Sequence, residues 1–157
     1  MGEEYPGTDT IHVIIFVIYM AVFIADSFLL RLTTFPAQSV AWQLGFVAGC
    51  ALVGVGFWLM WASHRLVFDE AGEEPELRVE GVYSMVRHPM YLGILLLYLG
   101  LFAFSLSLAL LAMWLGIFAL FNRFAAYEEE DLIRVFGERY SEYMRGVPRW
   151  LPRKFAK

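Results

Sequence analysis

The 157-residue chain is 59% hydrophobic and 17% aromatic, with a mean hydropathy of +0.57, which is too apolar for a soluble domain of this size. Its net charge of −4 leaves no basic face against the acidic groups, so nucleic acid is not an expected partner. One cysteine, Cys50 in an apolar run, excludes a disulfide framework. With His12, His64 and His88 on separate elements, no metal site is expected either. The composition points to an all-α integral membrane helical bundle, read as a single domain over 1–157: an N-terminal pair of spans (1–63) and a second part (64–157) that carries the polar motifs taken up below.

Met1 to Thr10 is short and acidic, with Glu3, Glu4 and Asp9 and no basic residue, unlike the start of a signal peptide. Ile11 to Leu30 has the roughly twenty residues needed to cross a bilayer and forms the first expected span. His12 and Asp26 interrupt it near its ends. For Asp26, an intramembrane acid, the expected partner is structural: Arg31 or a neighbouring helix. After a loop from Arg31 to Ala41, Trp42 opens a second span to about Ser63, with Trp58 and Trp61 as belt residues. Its Gly45-x3-Gly49 pattern, extended by Gly54 and Gly56, suits close helix packing and also leaves a dimer open. Oligomeric state is not readable from it.

His64 to Val86 is the one long polar insertion. Its acidic run from Asp69 to Glu76 reads as a wet loop, and Leu77, Val79 and Val82 alternate with charged residues in a short extended lead into Gly81. The chain then re-enters the membrane through Tyr83, Arg87, His88, Pro89, Met90 and Tyr91. Pro89 suits the first turn of a helix and holds His88 extended. The unpaired N–H groups of that helix start, with Arg87 and His88 beside them, favour an anionic group, and Tyr83 and Tyr91 offer aromatic faces to a flat or cationic ligand. The same residues also suit plain interfacial anchoring.

Met90 to Phe121 carries no charge over some thirty residues, a length of roughly 48 Å as one helix against a hydrocarbon core of about 30 Å. Ser105-Leu106-Ser107 is its only polar point, so a hairpin of two helices is expected, the second running past the membrane surface. That gives about four transmembrane helices. Eleven of the twelve Lys and Arg residues fall between His64 and His88 or from Arg123 onward. Four crossings put those regions and the N-terminus on one side, which the positive-inside rule makes cytoplasmic. Along the last helix Leu132, Val135 and Phe136 keep helical spacing, Glu130 and Arg134 form an i,i+4 pair, and Glu128 or Glu129 turns toward the His88 loop. Gly137 breaks this helix, Glu138 to Arg145 forms a short further one, and the tail from Arg149 to Lys154 reads as a basic aromatic strip facing membrane lipid.

Two motifs now stand in order: Gly81-Val82-Tyr83-x3-Arg87-His88-Pro89-x-Tyr91-x-Gly93, and Glu128-Glu129-x2-Leu132-x3-Phe136-Gly137-x2-Tyr140-x2-Tyr143-x3-Val147-Pro148-Arg149. Together they resemble the isoprenylcysteine carboxyl methyltransferase family over residues 81 to 149. The resemblance implies a multi-pass enzyme that binds S-adenosyl-L-methionine between the Arg-His-Pro segment and the C-terminal helices, open to the cytosol, while a lipophilic or prenylated acceptor enters from the bilayer. It implies that Tyr83, His88, Pro89, Met90, Tyr91 and Glu128 line the cofactor site, and that Leu77 and Arg78 fall where members wrap the adenosyl group. Members that methylate a carboxylate have an arginine one helical turn before the glutamate. Here Arg123, five residues before Glu128 rather than four, is the candidate, next to Phe124.

The residues suit this chemistry on their own terms. Methyl transfer from a sulfonium asks a catalyst mainly to position the reactants and exclude water. A carboxylate acceptor needs no base, whereas an amine or thiol does, and Glu128, Glu129 or His88 is available for that. Arg87 and the helix start after His88 suit the cofactor's carboxylate. The expected reaction is methylation of a prenylcysteine-like carboxylate. A phospholipid amine or small thiol as acceptor, a nicotinamide-dependent membrane reductase and a non-catalytic scaffold are the alternatives.

Overall fold

The computed structural model describes residues 8–34, 37, 40–66 and 77–152; most of the first acidic segment, the acidic run Asp69 to Glu76 and the tail from Arg153 lie outside the described residues. Helix α1 spans Thr8–Ile24 and continues as a π-helical turn over Ala25–Leu30, followed by α2 (Trp42–His64), α3 (Pro89–Ser105), α4 (Leu108–Phe136) and α5 (Glu138–Gly146). A 3-10 turn, Gly81–Ser84, precedes α3. The regular structure described is all helical. Among the described residues three stretches are long and apolar enough to cross a membrane, Thr10–Leu30, Trp42–His64 and Leu108–Phe136, and Pro89–Ser105 is apolar but only 17 residues long. This is an integral membrane protein.

The helices run alternately up and down, because side-chain contacts tie their ends into two groups. At one end the start of α1 meets the start of α3 through His12 and Tyr91, and α4 joins them through Phe121 and Phe124. At the other end the last turn of α1 meets the first turn of α4. There Asp26 accepts hydrogen bonds from the Leu32 and Thr33 backbone N–H groups at 2.9 and 3.1 Å, and from the hydroxyls of Thr33 and Ser107. Ser107 in turn caps α4 by accepting from the Leu110 N–H. The partner of Asp26 is therefore the neighbouring helix and Thr33, with Arg31 contributing only its backbone N–H to the Asp26 carbonyl. Leu106 makes the turn expected between α3 and α4, and does so in the left-handed region at φ 50°.

The small residues of α2 are used within the chain. A Cβ at Gly56 would lie 2.6 Å from the Gly93 carbonyl oxygen, and one at Gly45 the same distance from that of Ala103, so α2 and α3 pack backbone against backbone. Behind them Tyr19, Leu95, Tyr98, Leu110 and Phe121 form the core. The Tyr19 hydroxyl donates to the Tyr98 carbonyl at 2.9 Å and Trp114 Nε1 to that of Leu95 at 2.8 Å, which satisfies their polar tips in an apolar setting.

At 29 residues α4 is about 44 Å long. It outruns the hydrocarbon thickness, and its last three turns carry the acids. The expected pair of Glu130 with Arg134 is replaced by one between Asp131 and Arg134 at 2.6 Å. Both acids are within reach one turn back, but Asp131 is buried and Glu130 exposed, so the charge that has lost its water takes the partner. Gly137, at φ 57°, occupies backbone space that suits glycine and turns the chain into α5.

Candidate active site

The site lies at the end where α3 begins and α4 leaves the apolar layer. His88 is the residue before α3, with φ −123°, and Pro89 is its first helical residue, as the dipeptide requires. This places the buried His88 ring against the adjacent pair Glu128 and Glu129. Its Nε2 lies 3.1 Å from Glu129 Oε1 and its Nδ1 3.6 Å from Glu128 Oε2.

Successive residues on a helix point about 100° apart, and the two glutamates have correspondingly different surroundings. Glu129, its side chain only 4% exposed, is held by cations. Arg87 Nε donates to Oε1 at 2.9 Å, Arg149 Nε donates to the same oxygen at 3.0 Å, and Arg149 Nη2 donates to Oε2, making a bidentate fork. Both arginines are anchored elsewhere as well: Arg87 by the Met144 and Val147 carbonyls, Arg149 by Asn122 Oδ1, which also accepts from Trp150 Nε1 at 3.0 Å. The Arg87 N–H bonds the Pro148 carbonyl, and the Tyr143 hydroxyl donates to the Tyr83 carbonyl at 2.6 Å. The segment before α3, the end of α4 and α5 with its tail are thus clasped around one carboxylate.

Glu128 is different. Its side chain is 21% exposed, it accepts from the Tyr91 hydroxyl, and among the described residues it has no guanidinium partner. The Tyr91 ring stacks on His88 at 5.8 Å and 16°, and Trp150 lies 6.1 Å from His88 on another side. Burial alone would lower the His88 pKa, but the hydrogen bonds and charges of Glu128 and Glu129 outweigh it and raise it. Burial, helped by the charge of Glu128, pushes Tyr83 up to about 12, so it remains a phenol at neutral pH.

The structure therefore brings together Tyr83, Arg87, His88, Pro89, Tyr91, Glu128 and Glu129. Met90 follows half-buried in the first turn of α3, and Leu77, buried, and Arg78, half-buried, lie just upstream of the Gly81–Ser84 turn. Arg123 is not brought in. Five residues turn it roughly 140° away from Glu128 around the axis, and it is exposed. The position one turn before Glu128 belongs to Phe124, buried against His12. Sequence reasoning missed Arg149 and Asn122 as parts of the cluster. Asn122 stands seven residues before Glu129, on the same helix face, which is the signal that finds it.

These side chains fit a cationic, carboxylate-bearing cofactor. Glu128 is a carboxylate not neutralised by a guanidinium, flanked by the rings of Tyr91 and His88, while the cations around Glu129 hold the surrounding backbone.

A family model described as phospholipid methyltransferase matches residues 44–139. Methanethiol S-methyltransferase 2 of Bradyrhizobium diazoefficiens is 34% identical over 146 residues, covering 78% of this chain and 53% of that protein. Protein-S-isoprenylcysteine O-methyltransferase of Xenopus laevis is 34% identical over 90 residues, 57% of this chain and 31% of that one, in keeping with the resemblance read from the two motifs. The solved structure of the eukaryotic intramembrane Ras methyltransferase ICMT superposes with a TM-score of 0.69 over 92% of this chain and 53% of its own, at 23% identity, which shows a shared fold. The chain spans about half the length of the Bradyrhizobium relative and of that solved structure.

Proposed function

The chain belongs to the phospholipid methyltransferase family, and we propose that it transfers the methyl group of S-adenosyl-L-methionine to a lipophilic acceptor that reaches the site from the bilayer. The observation that carries this reading is the division of labour between the two glutamates. Glu129 is saturated by Arg87, Arg149 and His88, so its role is to fix the walls of the site. Glu128 is left with Tyr91 and His88, and is the charge that faces a cationic ligand.

The cofactor supplies an activated methyl group on a sulfonium. The protein's share is binding and orientation. In this reading Glu128 and the Tyr91 ring hold the cationic part of the cofactor, and the first turn of α3 offers the N–H groups of Met90 and Tyr91 to its carboxylate, Pro89 having none. Tyr83, Leu77 and Arg78 border the adenosyl side, and Trp150 helps to exclude water. Arg87 acts as a positioning residue through Glu129. In this reading the site end faces the cytoplasm, since among the described residues the arginines other than Arg31 gather there.

For the acceptor, a prenylcysteine-like carboxylate is one reading. A small thiol is the second, and a specific observation favours it: Phe124 fills the position where an acceptor arginine would stand, and Arg123 points away. The Bradyrhizobium relative, named for methanethiol, matches more of the chain than the isoprenylcysteine relative does. The test is transfer of a radiolabelled methyl group by the purified protein in nanodiscs to a farnesylcysteine analogue, an alkanethiol and phosphatidylethanolamine. Label in the thioether supports the thiol, and label in the methyl ester restores the carboxylate. No label in any of the three overturns the methyltransferase reading.

A further inference from the structure

Helix α1 brings a titratable side chain, His12, to the inner wall of the site. The His12 ring centroid lies 5.8 Å from Tyr91, 5.1 Å from Phe121 and 6.4 Å from Phe124. Tyr91 therefore has two imidazole neighbours, His88 stacked on its ring and His12 tilted against it, with its hydroxyl on Glu128. His88 is committed to the two glutamates. His12 faces the aromatic patch that includes Phe124, the position that in the thiol reading replaces an arginine.

From this juxtaposition we propose that His12 is a catalytic residue on the acceptor side of the site, taking the proton of a thiol acceptor. The inference rests on the thiol reading of the function. The acceptor's sulfur lone pair forms the new carbon–sulfur bond to the methyl carbon. The bond from that carbon to the sulfonium breaks, its electron pair staying on the departing sulfur to give the neutral thioether S-adenosylhomocysteine. The thiol proton passes to an imidazole nitrogen of His12 and then to solvent. A thiol is mostly protonated at neutral pH and far more nucleophilic as thiolate, so a base beside it has a clear task. Phe121 and Phe124 give the acceptor an apolar seat, and the titratable groups facing this seat from α3 and α4 are Tyr91 and Glu128, with His88 behind the Tyr91 ring.

The test uses His12→Gln and His12→Phe in the full chain, the second keeping an aromatic ring against Phe121 and Phe124. Expected is a fall in kcat/KM for an alkanethiol of about 10²-fold or more, the range for a lost general base. With an arenethiol, already largely ionised near neutral pH, the fall should be only a few-fold, and S-adenosylhomocysteine should bind both variants as it binds the parent. Equal losses for the two thiols, loss of S-adenosylhomocysteine binding, or no loss at all would each overturn the role. A second measurement needs no variant: carbethoxylation of His12 by diethyl pyrocarbonate, followed by peptide mass spectrometry, should be slowed by the alkanethiol, and unchanged labelling contradicts the proposal. If the parent protein methylates neither thiol, it is the thiol reading that fails, a result distinct from any of these.

Discussion

Glu129→Gln tests whether one carboxylate clasps the site. The substitution keeps the side chain's volume and one oxygen but removes the charge that faces Arg87, Arg149 and His88. Removing one partner of a buried ion pair costs about 3–5 kcal/mol, because the remaining charge stays without water or counter-charge. Here the Arg149 side chain is 25% exposed and can turn to solvent, whereas that of Arg87 is 11% exposed and fixed to the Met144 and Val147 carbonyls. The lower end, about 3 kcal/mol, is the appropriate figure. For a chain of this length, each kcal/mol moves Tm by about 2–4 °C, so a drop of roughly 6–12 °C is expected. Glu128→Gln should cost under about 1 kcal/mol, since the amide oxygen still accepts from Tyr91. Thermal unfolding of the detergent-solubilised protein, followed by tryptophan fluorescence, measures both. A Glu129→Gln variant as stable as the parent, or equal losses in the two variants, would refute the assignment of structure to one glutamate and ligand to the other.

The raised pKa of His88 makes part of the stability depend on pH: the contribution is complete below its ordinary value of 6.5 and is lost as pH rises through the higher folded value. The difference in Tm between the parent and His88→Gln should accordingly shrink as pH rises above the ordinary value, and a difference that widens with pH would reverse the sign of the argument. Asn122→Ala removes the acceptor shared by Arg149 and Trp150, and should cost about 1–3 kcal/mol and shift Trp150 emission to the red, both read in one fluorescence melt. Gly93→Ala would place a Cβ 2.7 Å from the Gly56 carbonyl oxygen and should destabilise by about 1–3 kcal/mol. Gly116→Ala, where a Cβ meets nothing within 4 Å, should be neutral or stabilising by up to about 1 kcal/mol in the same melt.

Much of the architecture was legible because membrane crossing imposes length and polarity on a chain. Apolar runs of fixed length, the serine pair around Leu106 and the Pro89 helix start each carry a local physical reason, and each appears where expected. The small residues of α2 were legible as a packing face, but that their partner is α3 needed the third dimension. Periodicity identified an inward-facing glutamate without saying which, since Glu128 and Glu129 differ by a single 100° step and only the positions of Arg87 and Arg149 separate them. Arg123 shows the limit of spacing arguments, because one residue of offset carries a side chain to the far side of a helix. His12, some 80 residues from Tyr91 in sequence, had no local signal connecting it to the site. Helix packing alone makes that contact.

The central claim is that residues 83–91 and 122–150 form a site for S-adenosyl-L-methionine in which Glu128 faces the ligand. Calorimetric titration of the purified parent protein and of Glu128→Gln with S-adenosylhomocysteine, with a reduced nicotinamide dinucleotide as the parallel ligand, tests it most directly. Saturable binding of S-adenosylhomocysteine alone by the parent, weakened at least tenfold in Glu128→Gln with Tm preserved, is the result the account predicts. Binding of the nicotinamide instead, of neither ligand, or of S-adenosylhomocysteine equally by both proteins would contradict it.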